Sequence, residues 1–209
     1  MITTLFLDIG GVLLTNGWDT NMRQRAIDYF KLDAKETEER HHMTFDTFES
    51  GKMSISDYLK HVVFYEPRSF NENQFINFMH EQTVAFQDHI DFFKDLKERY
   101  QLQVIAISNE PRELNAYRIK RFKLTTLFDA VISSSFVHFR KPDKDIFRLA
   151  IDISQAEVEQ SIFIDDRLMF VEIAKSLGLQ ALQFTNLKEV KIKLSTLGLS
   201  MGSKILHND

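Results

Sequence analysis

Residues 4–14 read TLFLDIGGVLL: an apolar run from Thr4 to Leu7 that ends at Asp8 and continues into Ile9, Gly10 and Gly11. A run this short, apolar and bounded by turn-formers reads as a strand covered on both faces. The first residue beyond it is a carboxylate, next to two glycines whose backbone tolerates close approach by a ligand. Four further runs share the texture: QVIAI at 103–107, AVIS at 130–133, SIFI at 161–164 and QALQF at 180–184. Between them lie amphipathic stretches with helical spacing: DHIDFFKDLKERY from Asp88, PRELNAYRIKRF from Pro111, PDKDIFRLAIDI from Pro142 and RLMFVEIAKSLG from Arg167. Gly178 stands where the last of these should stop. Strand–helix alternation predicts right-handed crossovers and an α/β fold, a Rossmann-like doubly wound parallel sheet.

Residues 16–87 interrupt that rhythm. They offer no clear strand and read as four helices: WDTNMRQRAIDYF, AKETEERHHMTFDTFES, SISDYLKHVVFY and NENQFINFMHEQ. Ser54 or Ser56 would cap the third and Asn71 or Asn73 the fourth. Ser50, Gly51 and Pro67 mark breaks. The expected organisation is an α/β core of residues 1–15 and 88–209 with a small all-helical cap of residues 16–87. A cap inserted after the first strand belongs over the carboxyl ends of the strands, where ligands bind in such sheets.

Composition narrows the chemistry. The 209 residues include no cysteine, which excludes disulfides, zinc–thiolate sites and cysteine nucleophiles. A net charge of −4 with no basic stripe argues against nucleic acid as a main ligand. The densest basic stretch, RIKRFK from Arg118, reads as a solvated helix face. No apolar run is long enough for a membrane span, and Asp8 breaks the N-terminal apolar run, so neither a membrane span nor a signal peptide is expected. A cytoplasmic protein, monomeric or homodimeric, is the expectation. Of the seven histidines, His41, His42, His61, His80 and His89 fall on helical stretches without metal spacing to one another and read as surface or cap residues.

The residues just past each strand should meet in one crevice. They are Asp8, Ile9, Gly10 and Gly11; Ser108, Asn109 and Glu110; Arg140, Lys141 and Pro142; and Asp165, Asp166 and Arg167. Three converging carboxylates repel one another unless a cation sits among them, and hard oxygen ligands suit Mg²⁺. With a hydroxyl and a lysine amine beside them, the set is that of phosphoryl transfer to a carboxylate nucleophile. Gly10-Gly11 lacks the third glycine of a dinucleotide-binding loop, which disfavours a nicotinamide cofactor.

Taken together, LFLDIGGVLL, VIAISNE, RKPDKDIF and IFIDDRLMFVEIAKSLGL resemble, in order, the four motifs of the haloacid dehalogenase superfamily, in its phosphatase-like branch with a helical cap after the first strand. The likeness spans the chain to about residue 185. It implies a Mg²⁺-dependent phosphatase acting on a small phosphorylated metabolite, with sugar phosphates among the candidates. By that resemblance Asp8 is the nucleophile that forms an aspartyl-phosphate, and its carboxylate and the Gly10 carbonyl bind Mg²⁺. Asp166 is the direct metal ligand from the fourth motif, while Asp165 either supports the metal or holds Lys141. Ser108 and Lys141 engage the phosphate, helped by backbone N–H groups of Ile9, Gly10 and Asn109. Trp18 either lines the substrate entrance or packs the cap hinge.

The chain departs from the family at Gly10, where phosphatases of this kind usually carry a second aspartate that protonates the leaving group. Asp19, Glu110 and Arg167 are the nearest polar substitutes in sequence. Phe136 and Phe170 replace residues that are commonly polar in relatives. Two other functions stay open at this point: a metal-independent dehalogenase using Asp8, and a catalytically impaired phosphate-binding or regulatory protein.

Overall fold

The computed structural model describes residues 1–201. Its elements, in chain order, begin with β1 (Thr4–Leu7). Four helices follow, α1 (Thr20–Phe30), α2 (Ala34–Glu49), α3 (Ile55–Val62) and α4 (Glu72–Glu81). The chain then alternates: α5 (Gln87–Tyr100), β2 (Gln103–Ser108), α6 (Arg112–Arg121), β3 (Ala130–Ser133), a single turn α7 (Ser134–Val137), α8 (Lys144–Ser154), β4 (Ser161–Asp165), α9 (Leu168–Ser176), β5 (Gln180–Gln183) and α10 (Leu187–Thr196).

The five strands form one parallel sheet in the order β3-β2-β1-β4-β5. The order reverses at β1, so the crevice opens at the carboxyl end of that strand. Side chains alternate across the sheet. Leu5, Leu7, Val104, Ala106, Ile162 and Ile164 pack on one face with Ile90, Phe93 and Leu96 of α5 and Val190 and Leu194 of α10. Phe6, Ile105, Ile107 and Phe163 face the other way, onto Ile146 and Phe147 of α8 and Val171 and Ala174 of α9. Burial on both faces is why these strands read as unbroken apolar runs.

The helical insertion has its own core of Ala26, Ile27, Phe48, Tyr58, Leu59, Phe75 and Met79, joined by Leu114 from α6. Its helices begin at side-chain caps: Asp19 accepts from the Met22 N–H, Asp33 from Glu36, and Ser54 rather than Ser56 from Asp57. Asn71, not Asn73, caps α4 in a reciprocal capping box with Gln74. No described helix is long and apolar enough to cross a membrane. The stretch from Arg118 is not the solvated face that its charge suggested. Arg118 is 1% exposed, because it lies one turn from buried Leu114 and turns with it toward the core.

Candidate active site

At the end of β1 the Asp8 N–H still bonds to the Ile164 carbonyl, 2.9 Å away, so the ladder with β4 fixes where the carboxylate emerges. The chain then curls tightly. The Ile9 carbonyl accepts from both Leu13 and Leu14, and the Gly11 N–H reaches the Leu14 carbonyl. Gly11 has φ +72°, and a β-carbon there would collide with the Asp166 carboxylate. Glycine at this position is what lets Asp166 lie against the loop that follows β1.

Asp8, Asp165 and Asp166 converge, each offering an oxygen within 4.8 Å of the others. Their contacts separate them. Asp165 is fully buried and both its oxygens are engaged, Oδ2 by Lys141 Nζ at 2.6 Å and Oδ1 by the Arg167 N–H at 2.8 Å. Asp166 Oδ1 is buried with no partner. Lys141 Nζ also donates to the Ile107 carbonyl at 2.9 Å and forms an ion pair with Asp8 Oδ1 at 3.1 Å, so the ammonium is held on three sides. Asn109 holds the Lys141 backbone from both sides: its Oδ1 accepts from the Lys141 N–H and its Nδ2 donates to the Lys141 carbonyl.

The electrostatics follow from crowding. Burial pushes the Asp8 carboxyl above the usual carboxylate range against the pull of Lys141, and the charge of Asp165 adds to the rise. Burial and the charge of Asp8 raise Asp166 in the same way. Burial acts to lower the Lys141 ammonium, but Asp8 and Asp165 outweigh it and its value rises. Carboxylates raised by burial and by one another, with an orphaned buried oxygen among them, make a donor set that a hard cation would complete.

Above this floor is a cavity of about 90 Å³ bounded by Asp8, Ser108 and Lys141 below and by Trp18, Glu49 and Arg140 on the cap side. Gly10 lies on its wall. A β-carbon there would sit 3.1 Å from Asn16 Oδ1, so Asn16 occupies the direction a side chain at position 10 would take. Trp18 lines the cavity and also packs the cap. Its indole N–H donates to Tyr58 Oη at 2.8 Å, and its carbonyl accepts from Arg23 at 2.9 Å. Tyr58 Oη lies 2.8 Å from His41 Nδ1. The His41 tautomer sets the direction of that bond: a bare Nδ1 accepts the phenol proton, and a protonated Nδ1 donates to the second lone pair of Oη. Burial keeps this imidazole neutral, pushing it down to about 4, and keeps the Tyr58 phenol protonated.

The cap is clasped to the core through α2. Arg140, next to Lys141 in the chain, bonds Glu49 Oε2 through both Nε and Nη2 and reaches Asp46 through Nη1. Ser134 Oγ donates to the Glu49 carbonyl and accepts from the Glu110 N–H. Beneath the connection into the cap, Arg118 pairs with Glu110 and donates to the Thr15 carbonyl.

The strand-end residues read from the sequence therefore all gather at one end of the sheet. Asn16, Glu49 and the pairing of Arg118 with Glu110 escaped that reading. The helical spacing from Leu114 to Arg118 could have revealed the last. Nothing in the sequence joins Glu49 to Arg140, 91 positions apart.

Comparisons with known proteins agree with this architecture. The profile of the haloacid dehalogenase-like hydrolases matches residues 2–178. A haloacid dehalogenase family enzyme of Bacteroides thetaiotaomicron, solved with magnesium and inorganic phosphate, superposes with a TM-score of 0.77 at 18% identity, covering 91% of this chain and 99% of that one. A predicted hydrolase of the same type from Porphyromonas gingivalis gives 0.74 at 22% identity over 94% and 98%. At these identities the likeness is one of fold. A drimenol cyclase of Aspergillus calidoustus is 38% identical over 72 residues, 34% of this chain and only 14% of that protein's length.

Proposed function

The chain belongs to the haloacid dehalogenase-like hydrolases, and on that premise we propose that it is a Mg²⁺-dependent phosphatase that cleaves a small phosphoric monoester through an aspartyl-phosphate on Asp8. The observation that carries this reading is the buried, partnerless Oδ1 of Asp166 beside Asp8. A site built only to displace halide needs no cation and gains nothing from a third buried carboxylate. The magnesium and phosphate bound by the Bacteroides relative support the same reading.

Asp8, Asp166 and the Gly10 carbonyl would hold the ion, which when bound offsets the charge gathered between a carboxylate nucleophile and a phosphate. Asp165 has both oxygens committed and serves as the anchor for Lys141. Lys141, pinned to Asp8, aims the carboxylate and adds positive charge where the transferring phosphoryl group would sit. Ser108 lines the same cavity and is placed to bond a phosphate oxygen, with backbone N–H groups of Ile9, Gly10 and Asn109 alongside. The polar cavity and the cap closed over it favour a small hydrophilic leaving group, a sugar phosphate being one that fits the description.

The test is hydrolysis of p-nitrophenyl phosphate and a panel of phosphorylated metabolites, with Mg²⁺ and with excess chelator. Activity that depends on the metal and disappears in Asp8→Asn is expected. Turnover surviving either change would overturn the mechanism, and chloride release from a 2-haloacid in chelator would replace it with dehalogenation.

A further inference from the structure

A departing alkoxide needs a proton, and the floor of this site has none to give. Lys141 is an ammonium bonded to Asp165 and the Ile107 carbonyl and paired with Asp8, all of which hold its protons in place. Gly10 has no side chain, and Asn16, which fills the space beside it, is an amide. Four carboxylates line the cavity among the described residues: Asp8, Asp19, Glu49 and Glu110. Asp8 is the nucleophile. Asp19 Oδ1 accepts from the Met22 N–H as the cap of α1, and among the described residues no cation pairs with this carboxylate to aim its second oxygen. Glu110 is paired with Arg118, its side chain is 3% exposed, and its second oxygen is sealed from solvent. Glu49 differs. Its side chain is 27% exposed and lines the cavity, and both Arg140 bonds fall on Oε2, leaving Oε1 uncommitted.

Resting on the phosphatase reading, we propose that Glu49, carried by the cap, is the general acid and base of the reaction. As an Asp8 oxygen bonds to phosphorus and the bond from phosphorus to the leaving oxygen breaks, the Glu49 carboxyl passes its proton to that oxygen, and the alcohol departs. Glu49, now a carboxylate, takes a proton from water as the water oxygen bonds to phosphorus and the bond to Asp8 breaks. Phosphate leaves, and both carboxyl groups regain their starting states. Burial raises the Glu49 carboxyl above the usual range in spite of Arg140, so a proton is held closer to neutral pH than on an exposed glutamate. The clasp has a second consequence: the proton donor is in place only when α2 is seated on the core.

The experiment compares Glu49→Gln with the unmodified protein on an alkyl phosphate, whose leaving group needs the proton, and on p-nitrophenyl phosphate, whose leaving group does not. The expected loss in kcat/KM is about 100-fold for the first and under about 10-fold for the second, within the usual span of general acid catalysis. Glu110→Gln should show no such split. Equal losses on the two substrates, or the split appearing in Glu110→Gln instead, would overturn the assignment. A variant that fails to fold leaves a second measurement. Across aryl phosphates of rising leaving-group pKa the unmodified protein should show a shallow fall in kcat/KM, and a steep one would refute proton donation. If the unmodified protein hydrolyses none of these esters, the phosphatase reading itself fails, a result distinct from the loss of Glu49's role.

Discussion

Gly11 and Asp166 stand so close that a β-carbon on the first would intrude on the carboxylate of the second. The contact joins the loop after β1 to the loop after β4. It makes Gly11→Ala a sharp probe of the acidic cluster. The substitution carries a left-handed backbone penalty of about 1–2 kcal/mol and must also displace Asp166. Mg²⁺ titrations of activity should show the half-saturating concentration rising by about ten-fold or more, the equivalent of one lost metal contact at about 1.4 kcal/mol. Gly10→Ala presses on the Asn16 side-chain oxygen at 3.1 Å and touches the Asn16 α-carbon at 3.4 Å, away from the acidic cluster, and should shift it far less.

Removing the Lys141 ammonium leaves Asp8 and Asp165 buried without their shared counter-charge. Lys141→Met should therefore cost about 3–5 kcal/mol in denaturant unfolding at neutral pH, the usual result of breaking one side of a buried ion pair. The deficit should shrink as pH falls and the Asp8 carboxyl, already raised by burial, takes up a proton. A deficit that stays constant down to pH 4 would show that the pairing does not govern the floor's stability.

Much of this was legible in the sequence because the sheet is buried on both faces. TLFL, QVIAI, AVIS and SIFI each coincide with a strand to within a residue, since a two-sided apolar environment leaves an unbroken apolar run. The acidic trio was legible for a related reason: strand ends in a parallel sheet all point to one crevice. What stayed hidden was tertiary pairing. Glu49 and Arg140 are ordinary surface residue types, and only the docking of α2 on the β3–α8 connection gives them a shared location. Arg118 was hidden by its own charge, since a guanidinium in a basic stretch reads as solvated until its buried partner is known. The α10 helix, polar overall, also gave no clear signal.

The pair of Arg118 and Glu110 offers a cleaner energetic test than any single substitution. Arg118→Met strands a buried carboxylate and should destabilise by about 3–5 kcal/mol, whereas Arg118→Met combined with Glu110→Gln should recover most of that loss. Additive losses in the double variant would mean that the two groups do not share an interaction.

His41 sets an acid limit on the cap. Its imidazole is held at about 4 in the fold against an ordinary 6.5, so between those values the unfolded chain binds the proton that the folded chain refuses. Stability from this group is fully present above about pH 6.5 and is lost as pH falls toward 4, on the order of 1–2 kcal/mol for a partly exposed ring. His41→Gln keeps an acceptor for Tyr58 and loses the titration. The stability difference between the unmodified protein and this variant, followed by urea unfolding from pH 7 to 4, should move steadily in the variant's favour. A difference independent of pH would show that folding leaves the His41 titration unchanged.

The strand order carries one more consequence, for the timing of assembly. β1 pairs with β2, whose first partner position is residue 103, and with β4, whose first is residue 161. On a growing chain Asp8 is thus made long before either neighbour, and before the lysine and aspartates that surround it. Helices α1 to α4, between β1 and α5, pack mainly on one another and can collapse early through contacts close in sequence. The lid is therefore able to form ahead of the site it covers, and Asp8 stays an ordinary aspartate until β4 closes the sheet.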